Sequence, residues 1–195
     1  MDSHESGPIA SSHLGTHEEG VLAVVLELRE ALDAPWDELA SLWGDLDQRS
    51  GGPHRNLYDR LFAGLIESGD RSNEDLLVAV AARLRADPKE LRELIAGYCG
   101  LLGLDPVVPE LAVTVPSLSA VHRLWWLKAR LGVSVAEFLR LASHLQSEAS
   151  TIDLFSRSNP GCLLRAVALV QWSRWLGTPL LDLLAWSEQS AARTR

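Results

Sequence analysis

Leu131-Gly132-Val133-Ser134-Val135-Ala136-Glu137-Phe138 and Leu176-Gly177-Thr178-Pro179-Leu180-Leu181-Asp182-Leu183 are two copies of one unit. Each has an apolar helix end, a Leu-Gly break, a capping residue, then an acid followed by a large aliphatic or aromatic residue. The offset between them is 45 residues, and Leu118/Leu163, Leu124/Leu169, Leu131/Leu176, Gly132/Gly177 and Leu139/Leu184 are identical across it. A period of that size means helical hairpins, each unable to bury its apolar face without a neighbour. The fold class it predicts is all-α: stacked helical hairpins forming an irregular solenoid or bundle without a significant sheet. Such stacks present surfaces and rarely carry chemistry themselves.

Two further stretches align on the same break. They are Leu32-Asp33-Ala34-Pro35-Trp36-Asp37-Glu38-Leu39 and Leu84-Arg85-Ala86-Asp87-Pro88-Lys89-Glu90-Leu91. Their acids, with those of the first pair, are Glu38, Glu90, Glu137 and Asp182. Each falls in the first turn of a helix, where a carboxylate meets the positive end of the dipole, so capping is their expected role.

Working outward, residues 1–15 lack periodicity and are expected to be a mobile tail. Thr16-His17-Glu18-Glu19 reads as a capping box ahead of the stripe Val21, Val25, Leu28, Leu32. Pro35 starts a second helix, Trp36 to Trp43, for which Gly44 is the expected left-handed cap. After the loop 48–56, Asn56 caps a third helix with Leu57/Leu61/Leu65 and Tyr58/Phe62/Ile66 on one face. Helices are expected over 73–86 and 88–98, broken at Asp87-Pro88, then over 117–131, 134–145, 161–176 and 179–189. The three-proline stretch 103–116 reads as an extended connector, and 146–160 as a polar one. That makes nine helices in a domain spanning 16–190, with sub-units at about 16–66, 73–103, 117–145 and 161–189, and a frayed terminus at 191–195.

Composition narrows the function. With 47% apolar and 23% charged residues the chain is an ordinary globular mixture. Residues 1–47 carry a net charge of −10 and the remainder +2, so the N-terminal third repels phosphate backbones; no nucleic-acid partner is expected. The longest apolar runs, Val21–Leu26 and Leu76–Ala82, are too short to span a bilayer, so no membrane insertion by this chain alone is expected. The polar start resembles no classical signal peptide, which points to the cytoplasm or to export by a non-classical route. Cys99 and Cys162 read as core thiols rather than a disulfide. Seven Trp against two Tyr and three Phe suggest large flat contacts between helices. On the helix at 161–176, Leu163, Val167 and Val170 form one apolar line and Leu169, Trp172 and Leu176 another, so it should be sandwiched, with any exposed remainder a docking surface.

Constellations for chemistry are weak. Arg130 to Arg140 has the tight turn of a helix-turn-helix, but its second helix offers Val135, Phe138, Leu139, Leu141 and Ala142 where bases would be read, leaving only Arg140 and a few small polar groups. His4, His13 and His17 match no closed metal site, while His122 and His144 read as ordinary partly buried imidazoles. There is no Gly-x-Ser-x-Gly turn, and Gly51-Gly52-Pro53 lacks the Lys-Ser/Thr of a phosphate loop. The expectation is a non-enzymatic chain: no catalytic residues, no metal and no cofactor.

Three stretches read together resemble the A component of bacterial toxin-complex (Tc) insecticidal toxins. The first is Leu42-Trp43-Gly44-Asp45-Leu46-Asp47, a variable Gly-rich loop, then Leu57-Tyr58-Asp59-Arg60-Leu61-Phe62. The second is Val113-Thr114-Val115-Pro116-Ser117-Leu118-Ser119-Ala120-Val121-His122-Arg123, and the third is the copy at Cys162–Trp186. The resemblance implies a piece of the α-helical shell of a pentameric bacterial virulence assembly that binds a host cell and injects a toxic enzyme. That shell has no catalytic residues, so none are carried over. The chain is a small fraction of such a subunit, without room for its channel helices, receptor-binding β-domains or linker. It is therefore read as a split component, a remnant, or a relative reused for protein binding, with toxin-complex subunits as the implied partners. An orphan helical adaptor and a helix-turn-helix regulator are the alternatives.

Overall fold

Each helical hairpin of this chain turns on a left-handed residue, and not every one of those residues is glycine. In the computed structural model, which describes residues 16–46, 56–65, 72–104, 114–149, 154–156 and 160–193, the described residues form nine α-helices and no strand. These are α1 (Thr16–Leu32), α2 (Trp36–Ala40), α3 (Leu57–Phe62), α4 (Asn73–Leu84), α5 (Pro88–Leu101), α6 (Val115–Leu131), α7 (Val135–Ala149), α8 (Gly161–Leu176) and α9 (Leu180–Arg193). The chain is all-α, as its repeat predicts. The tail at 1–15, the loop at 48–55 with Gly51-Gly52-Pro53, the connector at 105–113 and Ile66 lie outside the described residues, as do the side chains of Thr16 and Glu19.

The residues after Leu32, Leu84, Leu131 and Leu176 are Asp33, Arg85, Gly132 and Gly177, with φ of 46°, 54°, 61° and 63°. In all four the next N–H reaches back to close the last turn: Ala34 to the Arg29 carbonyl, Ala86 to Ala81, Val133 to Lys128 and Thr178 to Ser173. This bond satisfies a carbonyl that the helix end would leave without a partner. The four aligned breaks are thus one structural device. A fifth follows α5, where Gly103 has φ 69° and Leu104 N–H donates to the Cys99 carbonyl at 3.0 Å.

Several boundaries differ from the sequence reading. Helix α2 stops at Ala40 rather than Trp43, and Gly44 does not adopt a left-handed φ. Ser41 Oγ donates to the Glu38 carbonyl at 2.6 Å, and Leu42 and Trp43 make i→i+3 bonds, so a tightened turn ends the helix. Helix α3 ends at Phe62, where Ala63 leaves the helical region and Gly64 takes φ 79°; Leu65 is buried beyond the break. Helix α6 starts at Val115 because Thr114 Oγ1 accepts from Ser117 N–H at 3.3 Å, and Pro116 is tolerated in the first turn. Helices α5, α7 and α9 overrun their expected ends, α9 continuing through part of the segment expected to fray. The polar connector after α7 hides an apolar anchor: Leu154 and Phe155 are buried, Leu154 N–H donates to the Tyr98 hydroxyl at 3.3 Å, and the two rings lie 6.0 Å apart.

Two apolar cores result, and α5 and α6 wall both. Leu91 and Ile95 of α5, with Leu118 and Val121 of α6, close a core against α3 and α4. Leu94 and Tyr98 of α5, with Leu124, Leu127 and Leu131 of α6, close the larger core formed with α1, α2, α7, α8 and α9. Fully buried Phe138, Leu141 and Leu145 of α7 sit in that larger core. Each contributes roughly 1.5–3 kcal/mol by leaving water. Gly97 of α5 lets α7 close in, since a Cβ there would lie 2.3 Å from Leu139 Cδ1. Helix α1 returns to pack on α8, so the first and last hairpins are neighbours.

Candidate interaction surface

The four aligned acids all sit in first turns, yet they do different work. Glu137 is the capping residue expected: its carboxylate accepts from Ser134 N–H at 2.8 Å, and Ser134 Oγ accepts from Glu137 N–H at 3.2 Å. The Ser134 backbone and side-chain hydrogen bonds hold the Glu137 carboxyl below its ordinary range. Glu38 instead reaches across to α6, accepting from Trp126 Nε1 at 2.8 Å and Arg130 Nη2 at 2.9 Å. Glu90 pairs with Lys128 of the same helix at 2.9 Å. Asp182 is exposed. Alignment places an acid at the turn, but what lies opposite decides its use.

His122 and His144 are fully buried rather than partly so, each about 3% exposed. Each has a serine and a nearby acid. Ser41 Oγ lies 3.4 Å from His122 Nδ1, and burial lowers the His122 pKa to about 4 against the pull of Glu38, so the ring is neutral near pH 7. Ser187 Oγ lies 3.3 Å from His144 Nε2, with Glu188 Oε1 3.5 Å from Nδ1. The order resembles a serine nucleophile with its base and orienting acid. Its hydroxyl, however, donates to the Leu184 carbonyl at 2.7 Å along its own helix, and Glu188 is also bound by Arg140. A proton already given to a carbonyl is not shared with the imidazole, and the group clamps α9 onto α7. The spacing of His144 from Ser187 carried no recognisable signal in the sequence. Cys99 and Cys162 are free thiols whose pKa values burial pushes up. Among the described residues no group of His, Cys, Asp and Glu converges to hold a metal ion, and no helix is long and apolar enough to cross a membrane.

Helix α7, the would-be reading helix, packs against α5, α8 and α9. Phe138, Leu141 and Ala142 are buried, and its Arg140 is engaged by Glu188.

The tryptophans depart most from expectation. Only three of the seven lie between helices: Trp43, Trp125 and Trp126 are half-buried, with Trp125 Nε1 donating to the Leu84 carbonyl at 3.1 Å. Trp36, Trp172, Trp175 and Trp186 are exposed. On α8 one apolar line, Leu163, Val167 and Val170, is buried, whereas Trp172 and Leu176 of the other are open to solvent, so this helix is covered on one side only. The repeat makes the contrast sharp. Trp172, Leu176 and Trp186 are 57%, 52% and 57% exposed, whereas their counterparts 45 residues earlier, Leu127, Leu131 and Leu141, are 0%, 3% and 1% exposed. The third hairpin has a successor: α8 and α9 pack on α7, and Arg174 Nη2 donates to the Leu131 carbonyl. The same positions of the last hairpin are apolar and more than half exposed. Clustered exposed apolar side chains of this kind mark contact sites.

No family model, no curated protein and no solved structure matches this chain.

Proposed function

We propose that the chain is a non-enzymatic helical module for protein interaction or assembly, related to the α-helical shell of Tc toxin A components. The observation that carries the reading is the outer face of α8 and α9, where Trp172, Leu176 and Trp186 stand exposed at positions the preceding hairpin buries. An aromatic face of this kind suits a protein partner, because indoles supply large contact area at little cost in rotamer freedom. The kinship to that shell rests on the sequence resemblance of residues 42–47, 57–62, 113–123 and 162–186. The enclosure of α7 and the acidic N-terminal third favour a protein over duplex DNA.

The test is a pull-down with tagged full-length chain from native lysate and culture medium, read by mass spectrometry beside a Trp172→Glu/Trp186→Glu bait. Recovery of large toxin-complex subunits by the wild-type bait only is the expected result. Duplex DNA bound at low salt and shed steeply as salt rises, with no protein retained, would overturn the reading in favour of a regulator.

A further inference from the structure

Arg174 of α8 marks how one hairpin of this chain receives the next. Its Nη2 donates to the Leu131 carbonyl at the end of α6 and lies 2.9 Å from the place a Cβ on Gly132 would take. The guanidinium thus caps the Leu-Gly break of the third hairpin, where the α6 dipole presents its negative end. Beside that break Leu127 and Leu131 are buried on one face of α6, and Leu141 is buried on α7, against which α8 and α9 pack.

The chain holds a second copy of the receiving half of this contact. Leu176-Gly177 repeats Leu131-Gly132 with the same left-handed turn, φ 63° against 61°. Trp172, Leu176 and Trp186 stand at the positions of Leu127, Leu131 and Leu141, and all three are more than half exposed. No described residue donates to the Leu176 carbonyl, and a Cβ on Gly177 would meet no described atom within 4 Å. One copy of the socket is filled and the other is open, so the filled copy shows what chemistry the open one takes.

The inserting half is not duplicated. Three residues ahead of the four aligned left-handed turns stand Glu30, Ala82, Ala129 and Arg174, so only the last hairpin carries the arginine. Arg174 is already engaged by its own Leu131, and a second copy of this chain therefore brings no free hairpin of the right kind.

Resting on the interaction reading above, we infer that the exposed end of α8 and α9 receives a helical hairpin of a partner protein, one with an arginine three residues ahead of its own helix break. That arginine caps the Leu176 carbonyl, and the apolar line of the incoming helix covers Trp172, Leu176 and Trp186.

Supplying such a hairpin tests this directly. The full chain is extended by a second copy of residues 150–193 fused after Thr194, which keeps the 45-residue register. The tryptophans of the added copy are replaced by phenylalanine, so that the original ones are read alone. Hydroxyl-radical oxidation of Trp172 and Trp186 should fall severalfold relative to the unextended chain, and the melting temperature should rise. Arg174→Met in the added copy alone should undo part of that protection while leaving the original hairpin intact. Unchanged oxidation of both tryptophans overturns the inference, since a hairpin of this type folds only on a neighbour that receives it. Protection indifferent to Arg174→Met overturns it too. If the unextended chain nonetheless retains a protein through Trp172 and Trp186 in the pull-down, the interaction reading stands and only the chemistry of the occupant falls.

Discussion

At the scale of single residues, the hairpin breaks hold backbone conformations that side chains resist. Asp33 and Arg85 occupy the left-handed region at a cost of about 1 kcal/mol each relative to glycine. Arg85→Gly should therefore raise the melting temperature by about 2–4 °C in a chain of this size, read by thermal unfolding. Gly132 and Gly177 make a sharper comparison. Alanine at either incurs the same strain, but at Gly132 the new Cβ would lie 2.9 Å from Arg174 Nη2, whereas at Gly177 it meets nothing within 4 Å. Gly132→Ala should be the more destabilising, because it also displaces the guanidinium from the Leu131 carbonyl. Equal losses in thermal melts would contradict that. His122 makes a pH-dependent contribution. Its folded pKa is lowered to about 4 from an ordinary 6.5, so between these values the unfolded chain binds more protons and stability rises with pH. The contribution, up to about 3 kcal/mol, is complete above pH 6.5 and lost as pH falls through 4. Unfolding free energies of His122→Asn should vary less with pH across that window than those of the wild type. The glycines at 132 and 177 announced their conformation by type, and the alignment put Asp33 and Arg85 at the same place. Gly44 misled because a glycine permits a left-handed φ without requiring it.

At the scale of elements, periodicity and caps made the nine helices legible. Asn56, the Asp87-Pro88 step and the Ser134–Glu137 box start helices where their chemistry predicts. Less legible were elements whose ends depend on distant contacts. Leu154 and Phe155 lie in a polar connector, and only the Tyr98 hydroxyl and ring opposite make them an anchor. Glu38 looks like a cap until α6 brings Trp126 and Arg130 to it. Periodicity also could not tell that Trp172 and Leu176 of the second apolar line of α8 would be left exposed, since it registers apolar lines and not neighbours. The last hairpin completes the larger core, so ending the chain after Ala149 should expose Phe138, Leu141 and Leu145 of α7. The loss of these contacts should cost several kcal/mol and lead to aggregation. A soluble fragment that melts cooperatively would show instead that α8 and α9 are an independent addition.

On the scale of the whole molecule, two cores sharing α5 and α6 hold a scaffold whose first and last hairpins turn apolar side chains outward. The fold class was readable from a 45-residue period because a repeat needs only local pattern. The interaction surface was readable only in part: the sequence supplied a second apolar line on α8, the comparison with Leu127 and Leu131 showed which part of it is exposed, and Leu141 did the same for Trp186 of α9. The most direct test is hydroxyl-radical footprinting of the tryptophans, on the dilute isolated chain and on the chain in native lysate, with Trp43 and Trp125 as internal references. The account predicts that Trp172, Trp175 and Trp186 become protected in lysate while the two references keep their reactivity. Equal oxidation of the exposed tryptophans in both conditions would contradict the claim that this face is an interaction surface.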